Sequence, residues 1–173
     1  MSKITFIIGG ARSGKSRHAQ ELARGCGAGI VFIATGEAKD EEMERRIRIH
    51  RDERPQQWAT VEEPRDLAAA VRGVTAGTSF VIIDCLTLWV SNLVCSGAAR
   101  EAVEDAIRGV VRELKAIQAR SIVISNEVGM GIVPENRLAR MFRDLSGEAN
   151  ELLASVADEI HVVFAGIPLK LKG

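Results

Sequence analysis

The chain lacks a surplus of charge of either sign. Its 173 residues carry 23 Lys and Arg against 23 Asp and Glu, a formal net charge of +0. No global basic field is therefore present to hold DNA, RNA or an anionic membrane. Cysteine is scarce. Cys26, Cys85 and Cys95 cannot all pair within the chain, and none shows C-x-x-C spacing. A zinc site or a redox dithiol is not indicated, and buried, reduced thiols in a cytoplasmic protein are the expectation. Long apolar runs are missing too. The most apolar stretch, Phe80 to Val94, is broken by Asp84, Thr87, Ser91 and Asn92, which makes it too short and too polar for a membrane span. The first residues run directly into a strand pattern, so no signal peptide is expected. Internal repeats, low-complexity segments and long linkers are absent, and residues 1–173 read as a single domain.

What is present is an alternation of apolar strands and helices. Hydrophobic residues make up 46% of the chain, enough to fill one α/β core. Strands are expected at 4–8, 30–35, 58–62, 80–84, 121–125 and 159–165. Helices are expected at 17–23, 40–51, 64–74 with Pro64 at its start, 86–94, 100–120 and 135–157. Residues 25–29 read as a turn and 166–173 as a short tail. Near-continuous apolar strands separated by helices imply an α/β, three-layer sandwich with a mostly parallel sheet and helices on both faces. Ligands of such sheets gather at the carboxyl ends of the strands. That edge would carry the turn at 9–16, Thr35-Gly36, Asp84 and Asn126-Glu127.

The turn is the organising feature. Gly9-Gly10-Ala11-Arg12-Ser13-Gly14-Lys15-Ser16 fits the phosphate-binding pattern G-x-x-x-x-G-K-[ST]. A β-branched strand precedes it and a helix follows. Backbone N–H groups and the positive end of a helix dipole thus aim at one point, where phosphate oxygens fit. Lys15 would reach the β- and γ-phosphates of a nucleotide, and the Ser16 hydroxyl would hold Mg²⁺. The fold class is accordingly the P-loop NTPase type.

Other residues read two ways. Asp84 ends an apolar strand, where P-loop proteins keep a carboxylate for Mg²⁺; it could equally cap the helix starting at Leu86. His50 shares a helical face with Met43, Arg46 and Ile47, with Arg51 and Arg54 just beyond. An uncharged imidazole is a competent nucleophile toward phosphorus, and the arginines could grip phosphates; a solvated surface histidine is the plain alternative. His18 reads as a packing or surface residue, His161 as structural, and Glu62 as an ordinary strand end. Gly129 and Gly131 make the loop at 126–134 either an ordinary connection or a place of close ligand approach. Arg137, Arg140 and Arg143 form a polar helix face or reach phosphates.

Taken together these motifs resemble the bifunctional adenosylcobinamide kinase / adenosylcobinamide-phosphate guanylyltransferase family of cobalamin biosynthesis, over nearly the whole chain. The likeness rests on the run from Gly9 to Ala19, on Ile33-Ala34-Thr35, on the run from Arg46 to Pro55, and above all on Ser125-Asn126-Glu127-Val128-Gly129-Met130-Gly131-Ile132-Val133-Pro134-Glu135-Asn136 through Phe142-Arg143-Asp144. It implies two reactions. The hydroxyl of the aminopropanol arm of adenosylcobinamide takes the γ-phosphate of ATP or GTP. A histidine, here His50, then takes GMP from GTP with release of pyrophosphate and passes it to the phosphorylated corrinoid. The implied nucleotide contacts are Gly9, Gly10, Ala11, Arg12, Ser13, Gly14, Lys15, Ser16, Ala34, Thr35, Gly36, Arg51, Asp52, Glu53, Arg54, Glu62 and Asp84. Ser16 and Asp84 are implied for Mg²⁺, and a homotrimer for the assembly. The family often has Glu where this chain has Asp84, one methylene longer. A P-loop kinase of a single activity, with His50 on the surface, is the competing reading.

Overall fold

A computed structural model describes residues 3–24, 29–52 and 54–173, apart from the side chain of Arg46. Cys26, residues 25–28 of the turn expected at 25–29, and Glu53 lie outside the described residues. The elements run β1 (Ile4–Gly9), α1 (Lys15–Arg24), β2 (Ile30–Ala34), α2 (Glu41–Asp52), β3 (Ala59–Glu62), α3 (Leu67–Arg72), β4 (Phe80–Asp84), α4 (Leu86–Cys95), α5 (Arg100–Ala116), β5 (Arg120–Asn126), α6 (Arg137–Val156), β6 (Glu159–Phe164) and β7 (Ile167–Lys172). The sheet order is β3-β2-β4-β5-β1-β6-β7. The first six of these strands are parallel, and β7 returns antiparallel to β6.

Side chains alternate across the sheet, as period 2 requires. Ile83, Val81, Val123 and Phe6 face one side, against Trp89, Val110, Leu114, Leu145 and Leu153 from α4, α5 and α6. Ile82, Phe32, Ile122 and Ile7 face the other, against Ala19 and Ala23 of α1. Strand β4 is buried on both sides from Phe80 to Ile83, hence its unbroken apolar run. Burying each such side chain contributes about 1.5–3 kcal/mol. These layers fix the carboxyl ends of β1, β2, β4 and β5 relative to one another, and that edge carries the polar residues considered below. Among the described residues no helix is long and apolar enough to cross a membrane.

Several boundaries differ from those expected. Helix α5 stops at Ala116, because Ile117 turns extended and Arg120 already pairs in β5. Helix α6 starts at Arg137, since the Asn136 side chain accepts the N–H groups of Leu138 and Ala139 as an N-cap. In α3 the cap is Asp66, which accepts from the Ala69 N–H at 3.0 Å; Pro64 precedes the helix instead of opening it. The expected tail is strand β7. Ala165 and Gly166, both at positive φ (50° and 84°), make the two-residue turn into it. Cys85 is buried, but Cys95 ends α4 exposed, contrary to the expectation of buried thiols.

Candidate nucleotide site

The turn between β1 and α1 is shaped by what surrounds it. A Cβ on Gly9 would lie 2.4 Å from the Val163 carbonyl oxygen of β6, so only glycine fits. Gly14 sits at φ +96° with the Gly166 Cα 3.3 Å from where its Cβ would be, and the Gly166 N–H donates to the Ser13 carbonyl at 2.9 Å. The β6–β7 turn thus braces the phosphate loop from behind.

Lys15 is 6% exposed. Its Nζ donates to the Gly10 carbonyl at 2.6 Å and stands 3.5 Å from Ser13 Oγ. Burial lowers its pKa, while Cys85 and Asp84 act in the opposite direction. Burial also pushes the Cys85 thiol up to about 12, so at neutral pH Cys85 is uncharged and only Asp84 draws on the ammonium. Ser16 Oγ donates to Asp84 Oδ2 at 2.7 Å, joining the first turn of α1 to the end of β4. The N-cap of α4 is Cys85, whose sulfur accepts from the Leu88 N–H. The capping role considered for Asp84 thus belongs to its neighbour, and the carboxylate faces Ser16.

One cavity of about 470 Å³ collects these groups, within the range of small-molecule sites. Ala11, Arg12, Ser13, Gly14, Lys15, Ser16, Ala34, Gly36, His50, Arg54, Glu62 and Asp84 all line it. His50 comes from α2 beside Met43 and Ile47, the helical face read from the sequence. The Arg54 guanidinium lies 4.0 Å above the Phe32 ring, with its Nε buried and without a hydrogen-bond partner; burial lowers its pKa. Arg51 pairs with Glu62, at the β3 edge of the same region. Thr35 instead ties two strands together: its Oγ1 donates to the Cys85 carbonyl at 2.7 Å and accepts from the Cys85 N–H at 2.8 Å. Gly9, Gly10, Thr35, Arg51 and Asp52 are not among the lining residues.

Arg17, Cys85, Leu88, Ile124 and Asn126 also line the cavity. Leu88 was not legible as a site residue because it reads as core. His18, read as packing or surface, and His161, read as structural, form a pair with Nε2···Nδ1 at 2.7 Å. Arg140 donates to the carbonyls of Pro134 and Glu135 and so braces the loop before α6, while Arg143 pairs with Asp144. A second hollow, about 420 Å³, lies along α5 and α6; its Arg100 is already paired with Glu104 and Glu148.

Residues 5–171 match the family described as cobinamide kinase / cobinamide phosphate guanyltransferase. The bifunctional adenosylcobalamin biosynthesis protein CobU of Salmonella typhimurium is 40% identical over 181 residues, covering 98% of this chain and 99% of its own length. The CobU of Escherichia coli is 38% identical over 181 residues, with the same coverage. CobP of Pseudomonas aeruginosa is 40% identical over 169 residues, covering 97% of this chain and 96% of its own. Among solved structures, an ATPase from a type III secretion system aligns with a TM-score of 0.57 at 13% identity, over 98% of this chain and 58% of that one. The RadB recombinase aligns with a TM-score of 0.53 at 11% identity, over 92% and 73%. At those identities the likeness is one of fold, a mostly parallel sheet flanked by helices.

Proposed function

The chain belongs to the cobinamide kinase / cobinamide phosphate guanyltransferase family, and from that premise we propose that one triphosphate cavity serves both of its transfers. The observation that carries this reading is that Lys15 and His50 line the same cavity. The protein is a cobinamide kinase and a cobinamide phosphate guanyltransferase of adenosylcobalamin biosynthesis. Its substrates in this reading are adenosylcobinamide, GTP and ATP, and residues 1–173 act as one domain.

In the kinase step the Gly10–Ser16 amides and the Lys15 ammonium hold the β- and γ-phosphates. The arm hydroxyl of adenosylcobinamide bonds to the γ-phosphorus, the bond to the β,γ-bridging oxygen breaks, the nucleoside diphosphate leaves and the hydroxyl proton passes to water. In the guanylyl step a ring nitrogen of His50 bonds to the α-phosphorus of GTP and pyrophosphate leaves. An oxygen of the corrinoid phosphate then bonds to that phosphorus, the N–P bond breaks, and adenosylcobinamide-GDP forms. Splitting the exchange in two gives each displacement a good nucleophile or a good leaving group. Arg54, with an unpartnered buried Nε, suits the phosphate charge that moves during this step. Arg51 and Glu62, paired at the cavity edge, are assigned to nucleotide binding in this reading, as are Asp52, Glu53, Ala34, Thr35 and Gly36.

Ser16 and Asp84 present two hard oxygens to one point, a donor set that fits Mg²⁺ completed by phosphate oxygens and water. When bound, the ion would neutralise charge on the transferring phosphates. The assembly proposed is a homotrimer in the cytoplasm, testable by sedimentation and fractionation. The functional test is incubation with adenosylcobinamide and GTP. Formation of both the phosphate and the GDP product, with pyrophosphate released, supports the reading; the phosphate alone leaves a kinase of one activity, and neither product rejects both.

A further inference from the structure

The geometry points to Asn126 as a catalytic contact to the terminal phosphate in the kinase step, with Thr87 as the positioning residue that holds it; this rests on the two-transfer reading above. Along β5, Ile124 and Asn126 both line the cavity, as residues two apart on one face must. Ser125 between them points into the opposite side, where its hydroxyl meets Thr87 Oγ1 at 3.0 Å. In the sheet register Asn126 stands beside Gly9, and the Glu127 N–H donates to the Gly9 carbonyl at 3.1 Å. Asn126 therefore lines the cavity from the strand beside the one that leads into the phosphate loop, whose Lys15 rests on the Gly10 carbonyl. Lys15 is the group that reaches the β- and γ-phosphates.

Two buried side chains are committed to this one residue's backbone. Thr87 Oγ1 accepts from the Asn126 N–H at 2.6 Å, and Asn150 Nδ2 donates to its carbonyl at 3.2 Å. Thr87 is 4% and Asn150 6% exposed. Buried polar groups of this kind hold their partners rigidly because leaving one unsatisfied is costly. Here they fix where the last residue of β5 points as the chain turns into its loop. The side-chain amide carried on that backbone can donate an N–H to a non-bridging γ-oxygen as the β,γ-bridge breaks and the acceptor oxygen bonds to phosphorus. His50 comes from α2, the connection between β2 and β3, and β4 lies between those two strands and β5. A change at Asn126 should therefore separate the two half-reactions.

The test uses the full chain and three variants. For Asn126→Ala, kcat for adenosylcobinamide phosphorylation should fall by about a hundredfold, while labelling by GTP carrying a radioactive α-phosphate, with no corrinoid present, stays within about threefold. Thr87→Val should lower the same kcat by about tenfold with the KM for GTP unchanged, and Thr87→Ser should restore it. Equal losses in phosphorylation and labelling, or no loss in either, overturn the assignment. Should Thr87→Val fail to fold, the Asn126→Ala comparison decides alone. A wild-type chain that never phosphorylates adenosylcobinamide refutes the two-transfer reading instead, a result separable from any outcome in the variants.

Discussion

Replacing Lys15 with Met separates what the phosphate loop does for function from what it does for stability. The lysine is buried, and its ammonium rests on a carbonyl and a hydroxyl. Its pKa is lowered chiefly by burial. A lysine whose folded-state pKa is depressed costs stability wherever it is charged, and that cost is relieved only as pH rises toward the ordinary lysine value of 10.5. Met has nearly the same length and no charge. The substitution gives up a charge-donated hydrogen bond of about 1.5–3 kcal/mol. Its acceptor belongs to Gly10, an exposed residue that water can serve. The substitution also removes the burial of an ammonium, a penalty of several kcal/mol. The net expectation is a gain of about 1 kcal/mol, or a Tm higher by about 2–4 °C for a chain of this length. Both transfers should fall by at least about a hundredfold, since both depend on the bound triphosphate. Circular-dichroism melting without nucleotide, alongside product assays, measures the two effects. A Tm lower by more than about 4 °C, or either transfer retained at full rate, would refute the reasoning.

Asp84→Asn should keep a hydrogen bond from Ser16 and leave the melting temperature within about 2 °C, yet raise the Mg²⁺ concentration needed for half-maximal turnover at least about tenfold; an unchanged Mg²⁺ titration removes Asp84 from the metal site. Gly9→Ala should destabilise by about 1–3 kcal/mol in urea unfolding, because its Cβ meets the Val163 carbonyl at 2.4 Å; a neutral result shows that β1 and β6 can part. His18 and His161 both have lowered pKa values, chiefly through burial. Their charged forms are therefore disfavoured on folding, and stability should fall as pH drops below 6.5. Glu21 beside His18, and Glu159, Lys3 and Lys170 around His161, set the local field; Glu159 is held down to about 2 and does not titrate in that window. The double variant His18→Gln/His161→Gln should lose less stability than wild type between about pH 7.5 and about pH 5, and an equal loss places the acid sensitivity elsewhere.

The residues of the chain made different parts of this picture legible for different reasons. The phosphate loop is local: eight consecutive residues with a strand before and a helix after define it, and Lys15, Ser16 and Asp84 came together as expected. The α2 face with Met43, Ile47 and His50 followed from helical periodicity. Strand β7 was missed although Ile167, Leu169 and Leu171 alternate with Pro168, Lys170 and Lys172; its side chains are exposed throughout, so no burial signal marked it. The switch of cap from Asp84 to Cys85 is unreadable because sulfur is an uncommon cap. The His18–His161 pair joins residues 143 apart, and the Thr87–Asn126 contact joins two elements through a hydroxyl that a sequence reading assigns to neither. Contacts of that kind depend on how the layers stack, which local pattern does not encode.

The most direct measurement is the site of covalent guanylylation. The chain is incubated with GTP labelled at the α-phosphate, quenched in base, digested, and the labelled peptide identified. Acid-labile, base-stable label is expected on the peptide containing His50, with none in the His50→Ala variant. Label on another residue, or formation of adenosylcobinamide-GDP by the His50→Ala variant at the wild-type rate, would contradict it.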